Sequence, residues 1–370
     1  MTGGIIRTEG LTVGYGKKVV VDGVEIEARR GEVISIIGPN GAGKSTILKT
    51  IAAQLAGISG AVYISGRNMD SMSRAELSRT MSVMLTERID TELMTCCDVV
   101  KTGRYPYTNQ FGILSQEDRD RIKYAMDLTS VSELADTDFS QISDGQRQRV
   151  MLAKAICQDP DILILDEPTS FLDIHHKLEL LSMLKRLVRE RRVAVIMSMH
   201  ELDLAQRISD RVIAVAGNRV DRCDIPEKIF TDEYITSLYH IGSGTYCSVY
   251  GSVELERCMG AAEVFVIAGG GSGVDTFRKL QRRGTPFASG IIYENDIDYH
   301  AASALSCEIV SEKAFEPVGG DKIERAIAII ESCRRVICCV SRFGTLDSAN
   351  RRLYEYSSER GYLIPGYGTF

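Results

Sequence analysis

Apolar and polar residues alternate in two different ways along the first 250 residues, and each way predicts a different kind of strand. Residues 4–13 and 19–28 alternate apolar with polar positions, which is typical of strands with one face in water. The turn sequence Gly14-Tyr15-Gly16 lies between them, so we predict an antiparallel pair. Three further runs are almost continuously apolar, as buried parallel strands are: 32–37, 162–165 and 193–197. Helical patterns between these runs indicate a parallel sheet flanked by helices.

A second alternation of strand and helix patterns begins near residue 253. Its strand candidates are 262–268, 291–293, 308–310 and 336–340, and its helix candidates are 275–283, 322–331 and 348–358. At about 150 residues per domain, a chain of 370 residues has room for two domains. We therefore predict an α/β chain with domains at 1–250 and 253–370.

Composition narrows the range of partners. The net charge of −6 is not the basic footprint that broad nucleic-acid binding needs, so we expect no nucleic-acid partner. No apolar run approaches the roughly 18 residues that cross a bilayer, and we expect no signal peptide. Contact with a membrane is therefore expected only through a membrane-embedded partner. The 10 cysteines form no CxxC pair, so we expect free thiols in a reducing compartment.

A glycine-rich loop follows the first buried strand and opens a helical pattern. It matches GxxxxGK[ST] in full, through Gly38, Pro39, Asn40, Gly41, Ala42, Gly43, Lys44, Ser45 and Thr46. Glycines let main-chain N–H groups surround phosphate oxygens, and the helix N-terminus adds partial positive charge. Lys44 would reach the β- and γ-phosphates, and the Ser45 hydroxyl would bind Mg²⁺. The alternative is a glycine-rich turn without a ligand, which the strand-loop-helix context disfavours.

Two acids end the apolar run at 162–165. Asp166 is placed to hold Mg²⁺, and Glu167 is placed to activate the attacking water as general base. Taken alone, two acids after a strand are more often a solvated loop, but here they follow a phosphate loop. His200 comes just after the run at 193–197, at the sheet edge where nucleotides bind, and could contact the γ-phosphate.

Residues 142–149, ISDGQRQR, resemble the signature segment of ABC-type ATPases. The usual segment reads LSGGQ; here Ile142 and Asp144 replace the Leu and the first Gly. The Ser, the second Gly and the Gln are kept as Ser143, Gly145 and Gln146. The resemblance implies that the Ser and Gly cap the γ-phosphate of an ATP bound by the opposite subunit. Since the chain has one phosphate loop and one signature, it also implies a homodimer.

Two more elements match the same family. Residues 169–173 resemble the D-loop, which places Asp173 at the nucleotide site, and Tyr15 resembles the aromatic residue that stacks on adenine. The likeness covers about residues 4–245. It implies an ATPase domain with a parallel-sheet core, an antiparallel β subdomain and a helical subdomain, which binds and hydrolyses ATP with Mg²⁺.

Residues 103–107, GRYPY, and 199–205, MHELDLA, are similar to the ATPases of iron-chelate (siderophore), haem and cobalamin importers. This likeness implies a peripheral subunit on the cytoplasmic face of the cell membrane that powers uptake through polytopic permease subunits. A substrate-binding protein would be an indirect partner. Two alternatives stay open: an ABC ATPase for another solute, and a soluble ATPase switch that senses a small ligand through the second domain.

One position departs from the family pattern. Thr86 lies where ABC ATPases usually carry a glutamine. Its hydroxyl could hold Mg²⁺-bound water, although its reach is shorter than that of glutamine. Glu87 could substitute by acting through a water molecule.

The second domain resembles the small Rossmann-like extension of some chelate-importer ATPases. Its loop at 269–273 follows a strand but is not a full GxGxxG, so a tight structural turn is favoured over a ligand loop. A plain turn is also favoured over a ligand or cation site for the polar cluster at 295–298. Regulation by a small ligand that alters dimer closure or permease coupling is our hypothesis for this domain.

Overall fold

The computed structural model describes residues 4–85, 93–108 and 112–364. Over these residues the chain forms two units, which divide between Phe230 and Thr231. The strands of the first unit are β1 (Ile6–Tyr15), β2 (Lys18–Val24), β3 (Glu27–Ala28), β4 (Val33–Ile37), β5 (Ser59–Ile64), β6 (Arg67–Asn68), β7 (Met81–Met84), β8 (Ile162–Asp166), β9 (Ala194–Ser198), β10 (Arg211–Ala216) and β11 (Arg219–Asp224). Its helices are α1 (Lys44–Ile51), α2 (Arg74–Thr80), α3 (Cys96–Lys101), α4 (Gln116–Leu128), α5 (Asp144–Cys157), α6 (Ile174–Arg191), α7 (Leu202–Ile208) and α8 (Pro226–Ile229).

One mixed sheet organises the first unit. Its strand order is β6-β5-β1-β2-β11-β10-β4-β9-β8-β7, with β3 beside β1. The strands β10, β4, β9, β8 and β7 run parallel, whereas β1, β2, β5 and β6 pair antiparallel. Every residue of β4, β8 and β9 is buried, as their continuous apolar runs predict. The carboxyl ends of these three strands therefore meet at one edge of the sheet.

The hairpin between β1 and β2 turns later than the sequence predicts. The turn is Gly16-Lys17, and Gly14 and Tyr15 remain in β1, opposite Val19 and Lys18. A Cβ on Gly14 would lie 2.0 Å from the carbonyl oxygen of Lys18. Gly14 is therefore required by the close approach of the two strands rather than by a turn. The predicted antiparallel pairing is confirmed, while the predicted strand at 19–28 is divided between β2 and β3.

A layer of helices and short 3₁₀ turns forms the predicted helical subdomain. Helix α5 packs against α3 and α4, and a 3₁₀ segment, Thr102–Tyr107, follows α3. This segment is anchored by Arg104, which donates to Asp118 at 2.8 Å and to the Cys157 carbonyl at 2.9 Å. Both charged side chains are at most 7% exposed, and the Tyr107 ring covers the guanidinium at 3.9 Å.

The second unit has its own parallel sheet and a separate antiparallel hairpin. The hairpin strands are β12 (Gly244–Cys247) and β13 (Ser252–Leu255). The strands of the parallel sheet are β14 (Val264–Ile267), β15 (Phe287–Tyr293), β16 (Glu308–Glu312) and β17 (Val336–Cys338). The helices of the unit are α9 (Asp232–Leu238), α10 (Val274–Arg282), α11 (Ile297–Leu305), α12 (Gly320–Cys333) and α13 (Ser348–Glu359). The parallel order β16-β15-β14-β17 is that of the first four strands of a doubly wound sheet. Two separate apolar clusters pack on it, one with α10 and α11 and one with α12 and α13.

The second unit begins about twenty residues before the predicted boundary between 250 and 253. The reason is that α9 packs on β12, a strand of the second unit. Asp232 accepts the main-chain N–H of Ser248 at 2.7 Å, and Tyr246 is fully buried. Helix α9 carries no signal in the sequence that says against which sheet it packs.

Replacing Arg104 with alanine should lower the free energy of unfolding of the first unit by about 3–5 kcal/mol. The change leaves the buried Asp118 without its cationic partner. Urea unfolding followed by circular dichroism measures the loss. The exposed Arg119 on the same helix as Asp118 provides the control, because Arg119→Ala should change the value by less than about 0.5 kcal/mol. Equal losses in the two variants would contradict the anchoring role of Arg104.

Candidate active site

The phosphate loop runs from β4 to α1 and has a shape that only glycine permits at two positions. Gly38 has a φ of 148°, and a Cβ there would lie 2.2 Å from the carbonyl oxygen of Val215. Gly43 has a φ of 100°, and a Cβ there would lie 2.4 Å from a methyl group of Val21. At both positions a neighbouring strand lies too close to leave room for a Cβ atom, so the loop requires glycine there.

The amine of Lys44 lies inside this loop. Its Nζ donates to the carbonyl oxygens of Gly38 at 2.8 Å and Pro39 at 3.1 Å, and the residue is 6% exposed. Burial lowers the pKa of Lys44, while the nearby carboxylates of Glu167 and Asp166 oppose that shift. The loop thus holds a lysine amine among main-chain groups, at the place where a phosphate chain would bind.

Asp166 connects three elements at the end of β8. It is 1% exposed, and its Oδ1 accepts the hydroxyl of Ser45 at 3.0 Å and that of Ser198 at 2.5 Å. Ser198 ends β9 directly opposite Asp166 in the register of the two parallel strands. The Ser45 and Asp166 oxygens lie side by side, and oxygen atoms of this kind are the ligands that Mg²⁺ prefers.

Glu167 is fixed through both its main chain and its side chain. Its φ is 49°, an unfavourable conformation for a residue with a side chain. The main-chain N–H donates to Ser198 Oγ at 2.9 Å, and the carbonyl accepts the Gln148 amide at 3.0 Å. The carboxylate lies 2.6 Å from His200 Nε2 through Oε1 and accepts the Ser170 hydroxyl at 3.2 Å through Oε2.

An open cavity of about 670 Å³ brings together half of the predicted site residues. Its lining comprises Tyr15, Lys18, Val20, Asn40, Gly41, Gly43, Lys44, Ser45, Thr46, Glu167 and His200. Tyr15 is 53% exposed, so its ring is available to a flat ligand. The phosphate loop, the acid and the histidine therefore face one space. Thr86 and Glu87 lie outside the described residues.

The signature residues stand at the start of α5 and are not part of that lining in the described chain. Ser143 caps α5 and forms a reciprocal capping box with Gln146, whose side chain accepts the Ser143 N–H at 2.9 Å. A Cβ on Gly145 would approach the Phe171 carbonyl oxygen in the D-loop to 3.2 Å. Asp144 is the first residue of α5, where an acid suits the helix N-terminus. Ser143 and Asp144 are exposed at the surface.

The D-loop ends at Asp173, which caps α6. Its Oδ1 accepts the main-chain N–H of His176 at 2.9 Å. Three of the site's supporting residues escaped the sequence analysis: Ser170, Ser198 and Gln148. Ser170 lies within the recognised D-loop and Gln148 within the signature segment, but a serine at the end of an apolar strand carries no signal of its own. Ser198 becomes informative only once the register of β8 and β9 is known.

The glycine loop of the second unit, at 269–273, uses its N–H groups within the fold. Gly270 donates to Asp296 Oδ2 at 2.6 Å. The N–H of Gly273 lies 3.0 Å from both carboxylate oxygens of Asp298, a fully buried residue whose pKa is raised by burial. Carboxylates thus occupy donors that a bound phosphate would need, which supports the interpretation of this loop as a structural turn.

Family models match both parts of the chain. The ABC transporter model matches residues 21–170, and the MJ0874 family model matches residues 287–364. The uncharacterized ABC transporter ATP-binding protein MJ0873 of Methanocaldococcus jannaschii is 42% identical over 277 residues, which are 75% of this chain and 96% of that protein. The chain belongs to the ABC transporter ATP-binding proteins.

Other relatives of this ABC ATPase have more specific names. The iron(3+)-hydroxamate import ATP-binding protein FhuC of Bacillus subtilis is 36% identical over 236 residues, 64% of this chain and 88% of that protein. The cobalamin import ATP-binding protein BtuD of Halobacterium salinarum is 32% identical over 314 residues, 83% of this chain and 78% of that protein. These relatives place the ABC ATPase with importer-type cassettes, which bind and hydrolyse ATP.

A solved cassette confirms the fold of the first unit. The dimeric structure of MJ0796, a bacterial ABC transporter cassette, superposes with a TM-score of 0.55 at 26% identity. The match covers 60% of this chain and 98% of that chain. Across the described residues of this ABC ATPase, no helix combines the length and the apolar character that crossing a membrane requires.

Replacing Ser198 with alanine should destabilise the ABC ATPase by about 1–3 kcal/mol. The change removes the acceptor of the Glu167 N–H and the donor to the buried Asp166 at once. The free energy of unfolding in urea measures the effect. Ser71→Ala serves as the control, because that exposed hydroxyl reaches only the Asn68 carbonyl oxygen. A Ser198 variant as stable as the control would show that this hydroxyl is not needed to hold the two acids.

Proposed function

We propose that the first unit hydrolyses ATP with Glu167 as the general base. The observation that supports this most is that the Glu167 carboxylate faces the same cavity as the phosphate loop while His200 holds one of its oxygens at 2.6 Å. A general base must lie within hydrogen-bond reach of the water that it activates. The two neighbouring side chains hold the Glu167 carboxylate at the cavity in which that water would bind. The other Glu167 oxygen accepts the Ser170 hydroxyl at 3.2 Å.

The remaining predicted residues divide the work of binding the nucleotide. Main-chain N–H groups of the loop and the Lys44 amine would hold the phosphates, and Tyr15 would stack on the adenine. Ser45 and Asp166 would hold Mg²⁺, which when bound neutralises charge on the β- and γ-phosphate oxygens. His200 would orient the base and sense the γ-phosphate. A role for Thr86 in this shell stays a prediction, since it lies outside the described residues.

We propose that two copies complete each ATP site. At the start of α5, Ser143 is exposed and Gly145 is half-buried, so we propose that both contact a nucleotide held by another copy. Beside them the D-loop and α6 expose three large apolar side chains: Phe171 is 74% exposed, Ile174 69% and Leu178 51%. Such a patch is typical of a protein interface. The dimeric form of the MJ0796 cassette supports the same arrangement.

We propose iron chelates, haem or cobalamin as the transported cargo. The named relatives import iron(3+)-hydroxamate and cobalamin. The GRYPY segment lies within residues 21–170, which the ABC transporter model matches. In this segment Tyr105 is 62% exposed, while the preceding residue, Arg104, is buried in its ion pair. An exposed aromatic residue next to a buried anchor suits contact with a partner, for which we propose the polytopic permease. A substrate-binding protein would then choose the cargo, with the ATPase at the cytoplasmic face of the membrane.

Glu167→Gln should reduce the ATPase kcat by about 10²–10⁴-fold and leave ATP affinity nearly unchanged, because glutamine cannot accept the proton of the attacking water. Lys44→Ala should instead abolish productive binding of ATP. Steady-state phosphate release and equilibrium binding of labelled ATP distinguish the two effects. Lys123, exposed on α4, supplies the matched control for Lys44, since Lys123→Ala should alter neither quantity. Wild-type turnover in the Glu167 variant would remove Glu167 from the role of base.

Cells that lack this protein should lose uptake of one labelled cargo, either a ferric chelate, haem or cobalamin. The wild-type chain should restore that uptake, and Lys44→Ala should not, because transport needs ATP. Measuring all three cargoes in the deletion strain tests the cargo class. If none changes, the ATPase serves another solute or acts as a soluble switch.

A further inference from the structure

The residue after His200 makes two polar contacts that the ATPase mechanism does not use. Glu201 accepts the hydroxyl of Thr169 at 2.7 Å through Oε2 and the amine of Lys177 at 2.8 Å through Oε1. Thr169 is 1% exposed, and the Lys177 side chain is 22% exposed. These are well-shielded contacts between charged or polar groups, not a loose surface pair.

Each partner of Glu201 belongs to a different part of the site. Thr169 opens the D-loop, two residues after Glu167. Lys177 lies in the first turn of α6, which Asp173 caps. Burial disfavours the charged form of Glu201, but the contacts with Lys177 and Thr169 outweigh it and lower the pKa of Glu201. Glu201 is therefore ionised at neutral pH and joins the His200 segment to the D-loop and to α6.

The contact between Glu201 and Thr169 closes a ring around the catalytic base. His200 holds Oε1 of Glu167 at 2.6 Å, and Ser170 donates to Oε2 at 3.2 Å. His200 is the covalent neighbour of Glu201, and Ser170 is the covalent neighbour of Thr169. Five residues thus form one closed circuit, the Glu167 ring: Glu167, Thr169, Ser170, His200 and Glu201. The Glu201–Thr169 bond is a direct side-chain link between the segment that carries His200 and the D-loop that carries Ser170.

We propose that Glu201 is a positioning residue that keeps His200 and Ser170 at a fixed separation on the two oxygens of Glu167. The inference rests on the proposed role of Glu167 as base. Glu201 is not part of the lining of the nucleotide cavity in the described chain, so it acts through other residues and not on the nucleotide. Small displacements of a catalytic group cost rate far more than they cost binding, so the effect belongs in kcat.

Glu201→Ala in the full chain should lower the ATPase kcat about tenfold while ATP affinity changes by less than about twofold. Glu201→Gln keeps an oxygen that can accept the Thr169 hydroxyl, and it should retain at least about half of the wild-type kcat. Glu190 provides the matched control, because it is exposed at the other end of α6 and Glu190→Ala should leave kcat unchanged. Thermal unfolding of each variant shows whether the fold is intact.

A double-mutant cycle separates positioning from general damage. Thr169→Val removes the other half of the same bond, so the double variant with Glu201→Ala should turn over no more slowly than Glu201→Ala alone. Additive losses in kcat, a rise in the ATP dissociation constant that matches the loss of rate, or equal losses for alanine and glutamine at 201 would each overturn the proposal. So would a wild-type kcat in Glu201→Ala.

Failure of the ring and failure of the proposed base give different results. If Glu167→Gln keeps wild-type turnover, the role of Glu167 is wrong and Glu201 has no base to position. If Glu167→Gln is inactive while Glu201→Ala turns over normally, the base stands and only the ring is wrong.

Discussion

Hydrogen bonds to one buried carboxylate, that of Asp166, hold the candidate site of this ATPase together. Asp166 ends an entirely buried strand at 1% exposure, and leaving such a charge without partners is costly. The Ser45 and Ser198 hydroxyls supply those partners from the first turn of α1 and from the end of β9. Satisfying Asp166 thus fixes the phosphate loop, the acidic strand end and the histidine-bearing segment relative to one another. The parallel register of β4, β9 and β8 brings their polar carboxyl ends to one edge of the sheet, where we propose that the nucleotide binds.

A second constraint is local strain at Glu167. Its left-handed backbone at a φ of 49° is unfavourable, and the contacts around it maintain this conformation: Ser198 on the N–H, Gln148 on the carbonyl, and His200 and Ser170 on the carboxylate. Two of these contacts come from segments that we propose meet a second copy of the chain. Gln148 lies in the signature segment, in α5, and Ser170 lies in the D-loop. Glu167, the proposed base, is therefore connected to both segments.

The sequence was sufficient for the elements that repeat a strong physical pattern. Continuous apolar runs marked β4, β8 and β9, and GxxxxGK[ST] placed Lys44 and Ser45 at the start of the helix after β4. These patterns come from burial and from phosphate chemistry. It was insufficient wherever tertiary packing decides. Ser198 is important because it lies opposite Asp166 in the register of two parallel strands. Gly14 is needed where two strands approach closely and not in a turn. Helix α9 belongs to the second unit because it packs on β12. The carboxylates that fill the glycine loop at 269–273 come from residues more than twenty positions away.

We propose that ATP, held by the phosphate loop of one copy, joins two copies through the signature residues of the other. Sedimentation of the Glu167→Gln chain measures this most directly, because that variant should bind ATP without consuming it. With ATP and Mg²⁺ it should sediment as a dimer, and with ADP or after Lys44→Ala it should sediment as a monomer. A Glu167→Gln chain that stays monomeric while saturated with ATP would contradict the claim.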